Sequence, residues 1–136
     1  MSEQYYEERG YLDTEYRVFH ILDTPAREVP PHYHEFIKIF VLISGVVNYS
    51  IEGREYELHP YDIVLVNAGE IHRPIPRSDK EYERIIIYLS TEFMEKYSDY
   101  KLMSCFDKCK NEGMHVIRQN RRENVQLADK INKLTD

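Results

Sequence analysis

A chain of 136 residues with 42% hydrophobic side chains, five Phe and twelve Tyr can bury one sizeable core, which excludes two full-sized domains and wholesale disorder. Its apolar runs, such as Ile39 to Ile43 and Ile85 to Leu89, fall far short of the ~20 residues that cross a bilayer, and its polar, acidic N-terminus lacks the apolar stretch of a secretory leader. The net charge is −6, and residues 1–100 carry 10 Lys/Arg against 19 Asp/Glu, so the body of the chain has no cationic stripe with which to bind nucleic acid unaided. A cytoplasmic protein with no membrane contact is expected.

In chain order, residues 1–15 read as a polar arm. Tyr16 to Leu22 alternates and predicts a strand. Pro25, Pro30 and Pro31 then disfavour helix and predict an extended loop. Phe36 to Ile43 is apolar on both faces, the mark of a central strand covered on two sides. Val46 to Ile51 and Arg54 to Leu58 flank Glu52-Gly53, a two-residue hairpin connection. Ile63 to Val66 reads as a short buried strand ended by Asn67-Ala68-Gly69, and Ile71 to Pro76 follows it. Glu83 to Leu89, β-branched and aromatic, completes the strands. Strands every 8 to 12 residues point to an all-β barrel or sandwich. After Ser90 the period changes: Phe93, Met94, Tyr97, Tyr100, Leu102 and Met103 recur at helical spacing from Thr91. A loop with Asn111 and Gly113 intervenes. Glu123 to Leu134 then carries the stripe Leu127, Ile131, Leu134. The expected architecture is mainly β, a barrel over 16–90 followed by two C-terminal helices in 91–136.

The chemistry concentrates between Pro30 and Gly45. If the strand runs back to His32, alternation puts His32, His34, Phe36, Lys38 and Phe40 on one face. Two imidazoles and an ammonium then converge, a set able to hold a metal, an anion or a polyhydroxylated ligand. A His-x-His pair at the start of a strand is also common as rim decoration, and both readings stay open. His72, 38 residues beyond His34 and just after the turn at Asn67 to Glu70, is placed where a barrel could return it to that pair.

Together these segments resemble the two cupin motifs: His32, His34, Lys38 and Gly45 keep the spacing of the first, and His72 matches the closing histidine of the second. More specifically, Gly53-Arg54-Glu55-Tyr56, the Asp62 position, the apolar Ile63 to Val66 and Gly69-Glu70-Ile71-His72 resemble the sensing domain of AraC-type (AraC/XylS) bacterial transcriptional regulators over roughly residues 16–90. The resemblance implies a cupin-like double-stranded β-helix, or jelly roll, that binds a small-molecule effector. It implies a homodimer formed by helices after the barrel, and promoter DNA bound only through a C-terminal helix-turn-helix domain beyond this chain. The chain ends about where an interdomain linker would begin, which suggests a regulatory half, as a fragment or a stand-alone relative. Lys38 stands where metal-binding cupins carry a glutamate, and its charge disfavours a divalent cation, so no metal or other cofactor is expected. Tyr61 and Asn67-Ala68 also depart from the family, at positions that shape turns.

The residues expected to contact ligand are His32, His34, Lys38 and His72, with Arg84 and Tyr88 behind them because the last strand of such barrels lines the pocket. Arg84, Ile86 and Tyr88 share one face, and whether it points inward is left open. Lys38 and the histidines suit a sugar or sugar acid. Tyr49, Tyr56 and Leu58 read as core at least as readily as ligand contacts. Cys105 and Cys109, four apart on a helix, read as reduced thiols and as small hydrophobes before redox sensors. The rival reading is a small metal-dependent cupin enzyme, an isomerase or dioxygenase using His32, His34 and His72. A scaffolding or carbohydrate-binding barrel is a third.

Overall fold

The computed structural model describes residues 11–24, 29–97 and 100–135, with the side chains of 97, 100–103, 134 and 135 left out. Residues 1–10 of the expected arm, Pro25, the side chains of Tyr97, Tyr100, Leu102, Met103 and Leu134, and Asp136 lie outside the described residues.

Two antiparallel sheets face each other. The larger has the order β1-β7-β2-β5-β8, from β1 (Tyr16–Asp23), β7 (Tyr82–Leu89), β2 (Ile37–Ser44), β5 (Ile63–Val66) and β8 (Val116–Ile117). The smaller has the order β4-β3-β6, from β4 (Arg54–Glu57), β3 (Val47–Ile51) and β6 (His72–Pro76). The inner faces meet in one apolar core that includes Ile21, Phe40, Leu42, Tyr49, Ile51, Val64, Ile86 and Tyr88. This is the mainly β barrel that the sequence pattern implies.

The doubly apolar β2 is central, between β7 and β5, and both of its faces are covered. Phe40 and Leu42 enter the inner core, whereas Ile37, Ile39, Val41 and Ile43 face a second apolar layer outside the sheet. Helices supply that layer. Met94 comes from α1 (Thr91–Tyr97), Phe106 and Cys109 from α2 (Tyr100–Glu112), and Leu127 and Ile131 from α3 (Arg121–Thr135). Among the described residues the first expected helix is present as α1 and α2, and three helices follow β7.

Local chemistry explains the boundaries. Ser90 Oγ accepts the Phe93 N–H at 3.0 Å and caps α1. Asn120 and Glu123 form a reciprocal capping box at the head of α3, at 2.8 and 3.2 Å. The hairpin turn between β3 and β4 holds Glu52 and Gly53 at φ +50° and +79°, the mirror-image turn that suits the right-handed twist of its strands. No helix among the described residues is long and apolar enough to cross a membrane.

Asn111, expected in a loop, lies within α2, and the chain after Gly113 does more than connect. Val116 and Ile117 pair with Val64 and Ile63, so the helical tail also contributes a strand to the barrel. Arg118 anchors it by grasping both carboxylate oxygens of the buried Asp62 at 2.8 to 3.2 Å and the Glu57 carbonyl at 3.1 Å.

Candidate functional site

Backbone lacing brings the three histidines together. His32 and His72 exchange two main-chain hydrogen bonds, at 3.1 and 2.8 Å, and the Gly69 N–H donates to the His34 carbonyl at 2.7 Å. Gly69 closes the 67–70 turn at φ +85°, a conformation in which a side chain would be strained. The rings consequently cluster, with centroids 4.4 Å apart for His32 and His72, 4.9 Å for His32 and His34, and 5.2 Å for His34 and His72. One ring nitrogen from each lies within 4.8 Å of the others.

Hydrogen bonds fix which nitrogen faces its neighbours. His72 Nδ1 lies 2.9 Å from the Glu70 carbonyl, and His32 Nδ1 lies 2.9 Å from that of Pro30. A carbonyl only accepts, so each Nδ1 carries a proton, and the uncharged His72 ring keeps its lone pair on Nε2. The Nε2 atoms of His34 and His72 are buried and have no hydrogen-bond partner among the described residues.

Electrostatics keep those rings uncharged. Burial, helped by the Lys38 charge, pushes His72 down to about 2, against the opposing effect of its bond to Glu70. Burial, Lys38 and His32 push His34 down to about 3. His34, Lys38 and His72 are 8%, 5% and 1% exposed, and His32 is half-buried at the rim. Lys38 Nζ lies over the rings of Tyr49 at 5.6 Å and Phe40 at 5.9 Å, and Tyr49 stacks parallel to His72 at 6.3 Å. Phe36 stacks on His34 at 4.5 Å, and Tyr88 reaches the same ring at 5.7 Å. The site is a patch of imidazoles, two of them held uncharged, beside one ammonium and walled by aromatic faces.

Five of the six expected contacts are thus brought together: His32, His34, Lys38, His72 and Tyr88. Arg84 is not among them. It does point inward, as Ile86 and Tyr88 do, but it sits four residues from Tyr88, about 13 Å along the strand. There it pairs with Asp23 at 2.5 Å, donates to the Tyr82 carbonyl and lies over the Tyr82 ring at 4.0 Å. Tyr49 and Leu58 are core residues. Cys109 donates to the Met114 carbonyl, and burial first, then Glu70, pushes its thiol up to about 12, so it is no reactive nucleophile.

A second cluster, beside the first, was absent from the sequence reading. Glu70 Oε2 meets His115 Nε2 at 2.8 Å, Glu70 Oε1 accepts the Asn67 N–H at 2.7 Å, and His115 Nδ1 lies 3.2 Å from the Tyr56 hydroxyl. Tyr56 donates to the Gly113 carbonyl at 2.7 Å. Burial alone would raise the Glu70 carboxyl, yet the bonds from His115 and Asn67 outweigh it and hold it below the usual range. The only signal for this cluster in the sequence was the place of Glu70, two residues before His72.

Three imidazoles, each offering one ring nitrogen, match a metal in donor type and number. The position of the family's fourth ligand holds an ammonium, which does not fit a cation.

Residues 16–125 match the model of the AraC-like ligand binding domain. Among curated proteins, the chain is 25% identical over 75 residues to an uncharacterized HTH-type transcriptional regulator, YdeC, of Bacillus subtilis (strain 168), covering 53% of this chain and 26% of that protein. It is 27% identical over 64 residues to 5-nitrosalicylic acid 1,2-dioxygenase of Bradyrhizobium sp, covering 47% and 31%. The chain therefore spans about a quarter to a third of the curated relatives it matches. Similar solved folds include the Schizosaccharomyces pombe Cnp3 cupin domain, at TM-score 0.54 and 9% identity over 67% of this chain and 69% of that one. A cupin 2 conserved barrel domain protein of Salinispora arenicola CNS-205 follows at 0.52 and 14%, over 64% and 73%. With a cupin-like barrel and a family match over most of its length, the chain belongs to the AraC-like ligand binding domain family.

Proposed function

We propose that this chain is the effector-sensing part of an AraC-type transcriptional regulator, and that His32, His34, Lys38 and His72, with Tyr88 as a wall, contact the effector. The observation that carries this reading is the pair of buried Nε2 atoms of His34 and His72 with no partner, since buried polar atoms are almost always paired and an exception asks for a ligand. The His72 tautomer narrows the choice between a sugar and a sugar acid. Its Nε2 lone pair accepts a hydrogen bond and repels a carboxylate, and Lys38 supplies one cationic donor, so the arrangement favours a neutral polyhydroxylated molecule. Hydroxyls would donate to the imidazoles and accept from Lys38.

Binding to the folded chain alone would stabilise it by about 2.7 kcal/mol at a hundred times the dissociation constant, a rise of several degrees in Tm. Thermal unfolding against a panel of sugars, polyols and sugar acids is the test. A neutral polyol that raises Tm in the native chain and not in His72→Phe is the expected result. No shift with any compound would remove the assignment. In the whole regulator, effector binding would change how a further helix-turn-helix domain meets DNA, with the molecule acting as a homodimer. The Leu127 and Ile131 stripe is already spent on Val41 and Ile85 within the chain, so the dimer contact would use another surface.

The second reading, a metal-dependent cupin enzyme, draws on the three-imidazole cluster and on the likeness to a dioxygenase. His32, His34 and His72 would hold the ion, which would supply Lewis-acid chemistry. Elemental analysis separates the readings: stoichiometric metal lost in His34→Ala favours the enzyme, and full stability of a metal-free sample favours sensing.

A further inference from the structure

The two clusters share one residue, and that sharing carries a consequence for signalling. Glu70 holds His72 through its backbone carbonyl, at 2.9 Å from Nδ1, and His115 through its carboxylate, at 2.8 Å from Nε2. His115 belongs to the tail. Its carbonyl accepts the Leu65 N–H at 2.8 Å, directly beside the β5–β8 pairing, and three residues later Arg118 is clamped on Asp62 ahead of α3. The 67–70 turn is held at both ends, by Gly69 to His34 and by Asn67 to the Glu70 carboxylate, so displacement of its carbonyl cannot leave its side chain unmoved.

The geometry points to Glu70 as a positioning residue that couples the histidine cluster to the docking of β8 and α3. A hydroxyl donated to His72 Nε2 polarises the ring and strengthens its Nδ1–H bond to Glu70, because hydrogen bonds in series reinforce one another. The turn tightens, and the carboxylate holds His115 more firmly. Occupancy therefore secures the tail against the barrel, while loss of the His72 to Glu70 bond loosens it. The effector part of this inference rests on the function proposed above. The link from His72 through Glu70 to His115 does not, and it is tested without any ligand.

The readout is amide hydrogen exchange of the Leu65 N–H in the full 136-residue chain at pH 7.5. His72→Asn keeps an amide N–H where Nδ1–H stood, whereas His72→Gln extends its amide to the far side of the ring position. The expected result is about fivefold faster Leu65 exchange in His72→Gln, the loss of one hydrogen bond, with His72→Asn within twofold of the native chain. In a Glu70→Ala background, His72→Gln should add nothing further. Equal exchange in the Asn and Gln variants would overturn the coupling, and so would an undiminished effect of His72→Gln on top of Glu70→Ala. Should Glu70→Ala not fold, the Asn and Gln comparison decides alone. Failure of the effector reading would appear instead as the absence of any thermal shift, with this exchange pattern unchanged.

Discussion

His72 and His115 are both nearly inaccessible, and both touch Glu70, yet they are finished to different degrees. His115 has a neighbour on each nitrogen, the Glu70 carboxylate on one side and the Tyr56 hydroxyl on the other. His72 is held on Nδ1 only, and its Nε2 has no partner among the described residues although the rings of His32 and His34 lie beside it. A satisfied buried imidazole is a rivet, because removing it strands its partners. A half-satisfied one contributes less to stability and keeps a bond in reserve. The same side chain, at the same depth, serves the frame in one place and recognition in the other.

Acid should break the contrast most forcefully. Both His34 and His72 are held far below the usual imidazole value, so between pH 6.5 and about 3 the unfolded chain binds protons that the native chain refuses. Stability is then present above the unfolded value and lost as pH falls through it. Two such groups amount to about 4 kcal/mol between pH 7.5 and 5. Urea unfolding across that range should show the loss, and a flat profile would mean that the rings accept protons in place. Next in size is a matched pair of substitutions. His115→Phe leaves Glu70 Oε2 without its partner, with only the Asn67 N–H still on the carboxylate, and should cost about 3 kcal/mol, whereas His72→Phe replaces one ring by another, sacrifices a single bond and should cost about 1 kcal/mol or less. Equal costs from urea midpoints would end the distinction between frame and site.

The smallest expected change leaves both rings alone and so calibrates the others. Tyr61 takes φ +68°, a left-handed conformation that burdens any bulky side chain, in the turn that presents Asp62 to Arg118. Tyr61→Gly should stabilise the chain by about 1 kcal/mol, read as a shift in urea midpoint at constant slope.

Much of this was legible in the residue order, and the illegible part has a physical cause. Alternation groups Lys38 with Phe40 but leaves open which face is the inner one, and β2 begins only at Ile37, so the expected run of the strand back to His32 fails. Main-chain bonds to His72 and Gly69, not the pleat, place His32 and His34 beside Lys38. A period of two says nothing about height along the barrel, which is why Arg84 was grouped with residues about 13 Å away. Its partner Asp23 lies 61 positions earlier, at the end of a different strand. The stripe of α3 was readable too, but a stripe reports that a helix must be covered and not by what; Val41 and Ile85 of the same chain cover it. Hardest of all was the run from Met114 to Gln119. A two-residue strand carries no periodic signal, and His115 has nothing in its neighbourhood in sequence to announce a carboxylate 45 positions away.

That short strand has an effect out of proportion to its length. β5 would otherwise border the larger sheet with unused main-chain donors and acceptors flanked by Ile63 and Leu65, an invitation to pair with another molecule. Val116 and Ile117 occupy that border and end the invitation. The tail is thus also a guard against runaway stacking, and whatever frees it from the barrel uncovers an adhesive rim at the same moment.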